Sequence, residues 1–295
     1  MIMSMRALAL FLGSLLIATW ALQITGLQLV GDVESPDMIP YFIGAMFMPT
    51  LWSVVYLTLF NRKAWKLVRF WPGNPIYLVL GALLPAAIAF GVLAISMQQG
   101  WGGSSFFSFN ADGANVLRGP WVLGDGAQDW WRFAANVAAT AIMFAGINSV
   151  VAIGEEFGWR GVLQHHLIER FGFLGGVAVL GFVWAIWHAP MNLAGYNHAD
   201  APTLGAFVLF PLQLIAVSFI MAWLTIRANS FWPAVLMHGS GNGVEEGVMS
   251  SLQLVGVPEV AADYVNLGIS VTIALVCIAL SPRGRRASSE ALAPA

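Results

Sequence analysis

Residues 133–163 read FAANVAATAIMFAGINSVVAIGEEFGWRGVL. From Phe133 to Ile153 no side chain carries a charge, and a run of that length matches the ~20 residues a helix needs to cross a ~30 Å hydrocarbon core. Directly after it come Glu155, Glu156 and Arg160, and then the apolar Gly161, Val162 and Leu163. The stretch predicts a membrane-crossing helix with ionisable groups at its end. Charges beside apolar helices are costly, which makes them the default functional candidates.

The rest of the chain extends the first half of that pattern. Of 295 residues, 58% are hydrophobic and 9% charged, against about 25% charged in ordinary soluble domains. With a mean hydropathy of +0.75 and 13 Trp, there is too little polar surface to cover an apolar core, and a water-soluble globule is excluded. Eight apolar stretches are long enough to span: Ala7 to Leu29, Ile39 to Phe60, Ile76 to Met97, Phe133 to Ile153, Phe173 to Leu193, Leu204 to Ile226, Phe231 to Leu252 and Val265 to Leu280. The first outlasts Thr19-Trp20-Ala21, the nearest small-x-small site, and is expected to stay as a helix rather than leave as a signal peptide. The expected fold class is all-α, a polytopic transmembrane helix bundle forming one domain over residues 1–280. The small, polar, basic tail at 281–295 is expected to be disordered.

Placing the N-terminus in the cytoplasm puts 11 of the 13 basic residues inside, leaving Arg118 and Arg132 out; this bias predicts a cytoplasmic C-terminus too. The segment from Gln98 to Arg132 then lies outside. Its Gly and aromatic content suggests a loop with partly interfacial structure, not a second domain. A net charge of -2 with scattered basic residues excludes nucleic acid as a partner. Cys277 is the sole cysteine, so neither a disulfide nor a cysteine metal site is available. Membrane lipids are the partners that composition demands.

Glu156 and Arg160, four apart on a helix, share a face and can pair, while Glu155 points about 100° away and is left for another task. His188 lies in the fifth stretch with Trp184 one turn before it and Asn192 one turn after. In the seventh, His238 and Asn242 set two hydrogen-bonding groups on one face. Each has a plainer reading: charges can mark a membrane boundary, and an intramembrane His or Asn often only joins helices. His165, His166 and His198 are expected to be silent. Glu245 and Glu246 read as outer-interface residues, with Glu246, one turn past Asn242, as the alternative participant.

Glu-Glu-x-x-x-Arg at 155–160, an aromatic-x-x-x-His at 184–188 and His-x-x-x-Asn at 238–242, in that order on successive apolar stretches, resemble the CAAX protease and bacteriocin-processing (Abi) family. Its members include the type II CAAX prenyl endopeptidases. The similarity runs from Phe133 to Leu252, which would make 133–252 the catalytic core; the family's usual Phe of the second motif is Trp184 here. The resemblance implies an intramembrane endopeptidase acting on a membrane-associated, prenylated or unprenylated, protein or peptide. Glu155 would activate a water with help from His188, His238 and Asn242 would hold the oxyanion, and Glu156 and Arg160 would support the site. Trp184, Asn192 and Glu246 are additional candidates.

No His-x-x-x-His occurs, so a zincin helix is absent. Glu155, His188 and His238 could still ligate a catalytic zinc, but Asn242 suits an oxyanion better than a metal, and metal-free hydrolysis is favoured. The other functions weighed are an idle scaffold or immunity protein of the same fold and a transporter using the same polar residues. The expected location is a prokaryotic plasma membrane. The cavity is expected to open to the cytoplasm, with Gly161 to Gly172 forming one wall of the mouth. One tension stands: His188 falls about 15 residues into its stretch, roughly 22 Å, and His238 only about 8, roughly 12 Å, at 1.5 Å per residue.

Overall fold

The computed structural model describes residues 2–258 and 260–281; the expected tail from residue 282 on lies outside the described residues. Helices α1 (Met5–Val30), α2 (Pro36–Phe60) and α3 (Pro75–Gln98) come first. They are followed by α4 (Trp130–Glu156), α5 (Gln164–Trp187), α6 (Pro202–Ala228), α7 (Trp232–Ser240) and α8 (Val260–Ala279). Six segments are long and apolar enough to cross a membrane. Large apolar side chains such as Leu10, Ile17, Leu59, Ile147 and Val150 are exposed around the bundle, as lipid-facing helices require. The protein is an all-α multi-pass membrane bundle.

One of those six segments, Trp130–Trp187, is 58 residues long. No break separates α4 from α5: a π-helical stretch, Phe157–Leu163, joins them. The break comes at Gly172, whose φ of 72° and ψ of 172° leave the helix, a conformation available to glycine because no Cβ clashes. There the chain folds back, and Gly176 meets Leu167 and Ile168 so closely that a Cβ would sit 2.6 Å from their backbone. Glu155 is therefore not at the end of its helix. It sits partway along a helical rod that runs on to Phe171, and Glu155 and His188 lie almost equally far along the chain on either side of Gly172.

α7 continues through a second π-helical stretch, Gly241–Glu245, to Glu246–Ser250. It is too polar to count among the apolar spans because it lies inside the bundle, packed on α3, α4 and α6. Its start is deep: Gly161 faces Phe231, and Gln164 donates to the Thr225 hydroxyl at 3.0 Å. The turn before α7 thus stops short of the end of α5's first limb, which removes the apparent mismatch in depth between His188 and His238.

The segment between α3 and α4, expected as a loop, carries strands. β2 (Phe107–Phe109), β3 (Gly113–Val116) and β4 (Gly126–Asp129) form an antiparallel sheet, and β1 (Gly102–Ser104) pairs with β5 (Leu252–Leu254) after α7. Asn110 Oδ1 accepts the N–H groups of Asp112 and Gly113 to close the β2–β3 turn. Phe107, Trp121 and Phe133 bury against Phe90 of α3. Strands of three or four residues rich in Gly show no alternation to read, which is why the pattern hid them.

Candidate active site

The carboxylates 155 and 156 part company at the last turn of α4. Glu156 receives both of its contacts with Arg160 from one guanidinium nitrogen, at 2.9 and 3.0 Å, and accepts from His238 Nδ1 at 2.9 Å. Arg160 gives its other terminal nitrogen to the Ser218 hydroxyl of α6 at 3.0 Å and lies 4.1 Å over the Trp184 ring. Glu156 and Arg160 are fully buried, so this knot ties α4, α5, α6 and α7 together where a lone charge would be untenable. Glu155 faces the other way. Its Oε2 accepts the indole N–H of Trp184 at 2.7 Å and that of Trp159 at 3.4 Å, and its Oε1 stands 3.9 Å from His238 Nε2, too far for a direct bond.

Trp184 holds the set together. Its ring meets the His238 ring edge-on at 5.5 Å, and its carbonyl oxygen lies 2.8 Å from His188 Nδ1. These partners assign protons. A carbonyl only accepts, so His188 carries its hydrogen on Nδ1 and leaves Nε2 with a lone pair. Glu156 likewise accepts from His238 Nδ1, so His238 Nε2 donates only when the ring carries both protons.

Glu155, Trp184, His188, His238, Asn242, Glu245 and Glu246 line one cavity of about 590 Å³. Asn242, just inside the π-helical stretch of α7, is exposed to it and has no hydrogen-bond partner among the described residues. Two of the three motif-bearing helices, α4 and α7, thus switch to π geometry within or directly after their motifs. Such insertions add a residue to one turn and recur at functional sites.

Several expectations need correction. Asn192 does not line the cavity; it is buried and accepts from Asn197 Nδ2 at 2.7 Å. His198, expected to be silent, does line it, and its Nδ1 pairs with Asp263 of α8 at 2.9 Å. Glu245 and Glu246 are cavity residues rather than interface markers, and Asn266 donates to Glu245 at 3.1 Å. The wall expected at Gly161 to Gly172 is not part of this cavity either. Gly158, Gly161 and Val162 are buried, and no residue from 157 to 172 lines the cavity. The stretch 161–167 packs beneath the N-terminus, where His166 Nδ1 accepts the backbone N–H of Met3. The cavity instead reaches the opposite end of the bundle, at Tyr196, Asn197, Ser250 and Asp263. Burial pushes the Tyr196 phenol up to about 12, so a neutral hydroxyl stands there.

Among the described residues no group of three or more His, Cys, Asp or Glu side chains is placed to hold a metal. A scan of protein families matches residues 133–244 to the type II CAAX prenyl endopeptidase Rce1-like family. The match encloses Glu155, Glu156, Arg160, Trp184, His188, His238 and Asn242, and stops short of Glu245. No curated protein matches the chain. Residues 133–244, carried on a multi-pass membrane bundle, are thus similar to the type II CAAX prenyl endopeptidase Rce1-like family, the family that the three motifs resemble.

Proposed function

We propose that the protein is an intramembrane endopeptidase in which Glu155 activates a water against a peptide bond of a membrane-associated, prenylated or unprenylated, substrate. The observation that carries the reading is the meeting of Glu155, His188, His238 and Asn242 on one cavity wall although they come from three helices. His188 Nε2 offers an acceptor to orient the water, and Glu155 takes its proton. As the hydroxide adds to the carbonyl carbon, the doubly protonated His238 and the unengaged amide of Asn242 donate to the oxyanion. Glu155 then passes its proton to the departing amine and the C–N bond breaks. Glu156 holds the ring of His238, and Arg160 holds Glu156. No step needs a metal, and we propose that none takes part. Against a transporter, Glu156, Arg160 and Gln164 behind Glu155 are packed and buried, and the small pocket beyond them, lined by Arg160, Gly161 and Gln164, shares no lining residue with the cavity.

We further propose eight crossings with both termini cytoplasmic, in a prokaryotic plasma membrane, the fold at Gly172 and the interior α7 supplying the two crossings beyond the six apolar segments. In that orientation the cavity opens to the outer side. Turnover of lipidated and unlipidated peptides by purified protein, with Glu155→Ala as control, tests the activity; absence of cleavage across the panel would favour the idle scaffold. Accessibility tests the orientation. In a Cys277→Ser background, a cysteine at 197 should react with an impermeant thiol reagent from the outer face of oriented vesicles, and cysteines at 158 and 162 from neither face.

A further inference from the structure

The family match ends at Val244, but the cavity does not. Its far arm is built by Glu245 and Glu246 at the end of α7, Asp263 and Asn266 on α8, and Tyr196 and His198 of the loop after α5. Counting the catalytic end, four carboxylates line the cavity and, among the described residues, no Lys or Arg does. Two of the far carboxylates are occupied: Asp263 by His198, and Glu245 by Asn266. Glu246 is exposed to the cavity and accepts no hydrogen bond among the described residues. A second observation comes from α1. Gln23 lines the cavity at 2% exposure, and among the described residues its Oε1 has no partner. Buried amide oxygens are nearly always satisfied, so an orphan in a cavity wall marks a place where a ligand N–H belongs.

We propose that this arm is a substrate subsite for a basic side chain, Lys or Arg, with Glu246 as its counter-charge and Gln23 as acceptor for a peptide N–H. The proposal rests on the endopeptidase reading above and names its substrate class. A carboxylate left without a partner in a cavity wall favours a cation over a neutral group of the same size and disfavours an acidic one. The position follows from spacing. Glu246 lies one helical turn beyond Asn242, about 6 Å at 1.5 Å per residue, and an extended peptide advances about 3.3 Å per residue. The basic residue therefore sits one or two positions from the bond that breaks.

The test uses the full chain in lipid nanodiscs and one peptide scaffold carrying Lys, Gln or Glu at each of the two positions on either side of the cleaved bond. At one position the Lys peptide should exceed its Gln counterpart by about tenfold in kcat/KM and the Glu peptide should be the poorest. Glu246→Gln should collapse the Lys-to-Gln ratio to near one, a ratio that divides out any loss of rate common to both peptides. Gln23→Leu should raise KM for both and leave the ratio intact. Equal kcat/KM for Lys and Gln peptides at every position, with cleavage present, would overturn the subsite and leave the endopeptidase standing. If nothing is cleaved, the same peptides labelled with a dye are titrated by fluorescence anisotropy: tighter binding of the Lys peptide, lost in Glu246→Gln, supports the subsite without the activity, and equal binding overturns it.

Discussion

The polar interior has two regions built to opposite rules. The knot of Glu156, Arg160 and Ser218 is buried, with both Glu156 oxygens on the guanidinium and His238, at the cavity wall, added to one of them. The second region, from Glu155 to Glu246, faces the cavity and leaves groups open: among the described residues Asn242 has no side-chain partner, His188 keeps its Nε2 lone pair and Glu246 has no donor. Adjacent residues 155 and 156 belong to different regions because the helix turns them about 100° apart. A polar group with every partner in place contributes order, and one held in place but left unsatisfied is ready for a ligand.

Substitutions can break that division. Glu155→Gln should reduce kcat/KM by about 10²- to 10⁴-fold, the range of a lost general base, while the melting temperature in detergent stays near wild type. Glu156→Gln and Arg160→Met should do the reverse. Each strands a charge in the buried knot, and the unfolding free energy measured by denaturant titration should fall by about 3 to 5 kcal/mol. Were Glu156→Gln to abolish turnover at full stability while Glu155→Gln stayed active, the two glutamates would have to exchange roles. Trp184→Phe sharpens the border: the ring and its packing survive, but the N–H to Glu155 is lost, a bond to a charged group worth about 1.5 to 3 kcal/mol. Turnover should drop tenfold or more, with KM nearly constant. The smallest effect is expected at the open end, where His198→Ala removes a partner of the part-exposed Asp263 and should cost under about 1 kcal/mol of stability.

Much of this was legible in one dimension. The eight apolar stretches all fall on helical segments, because in lipid a backbone must satisfy its own hydrogen bonds, and among the described residues six segments are long and apolar enough to cross. The three motifs stood out because ionisable side chains are rare in such stretches. Their partners did not. Asp263, Asn266 and Ser270 fall at helical spacing along one face of α8, a signal present in the chain, but nothing in sequence says that this face meets Gln213, whose Nε2 donates to Asn266 and Ser270. Trp184 is an additional candidate in the sequence, without a stated role; its indole N–H gains meaning only from Glu155, which lies 29 residues earlier in the chain.

By itself the sequence determined the membrane setting, the helices and the candidate side chains for the site, since each follows from local hydrophobicity and residue chemistry. Tertiary structure alone decided that Ser218 and His238 join the pair of Glu156 and Arg160, where α7 begins, and toward which end the cavity opens. Those depend on two π-helical insertions and one left-handed glycine at 172. Each is a small local change of backbone rotation, and its effect on distant side chains appears only once the helices are packed together.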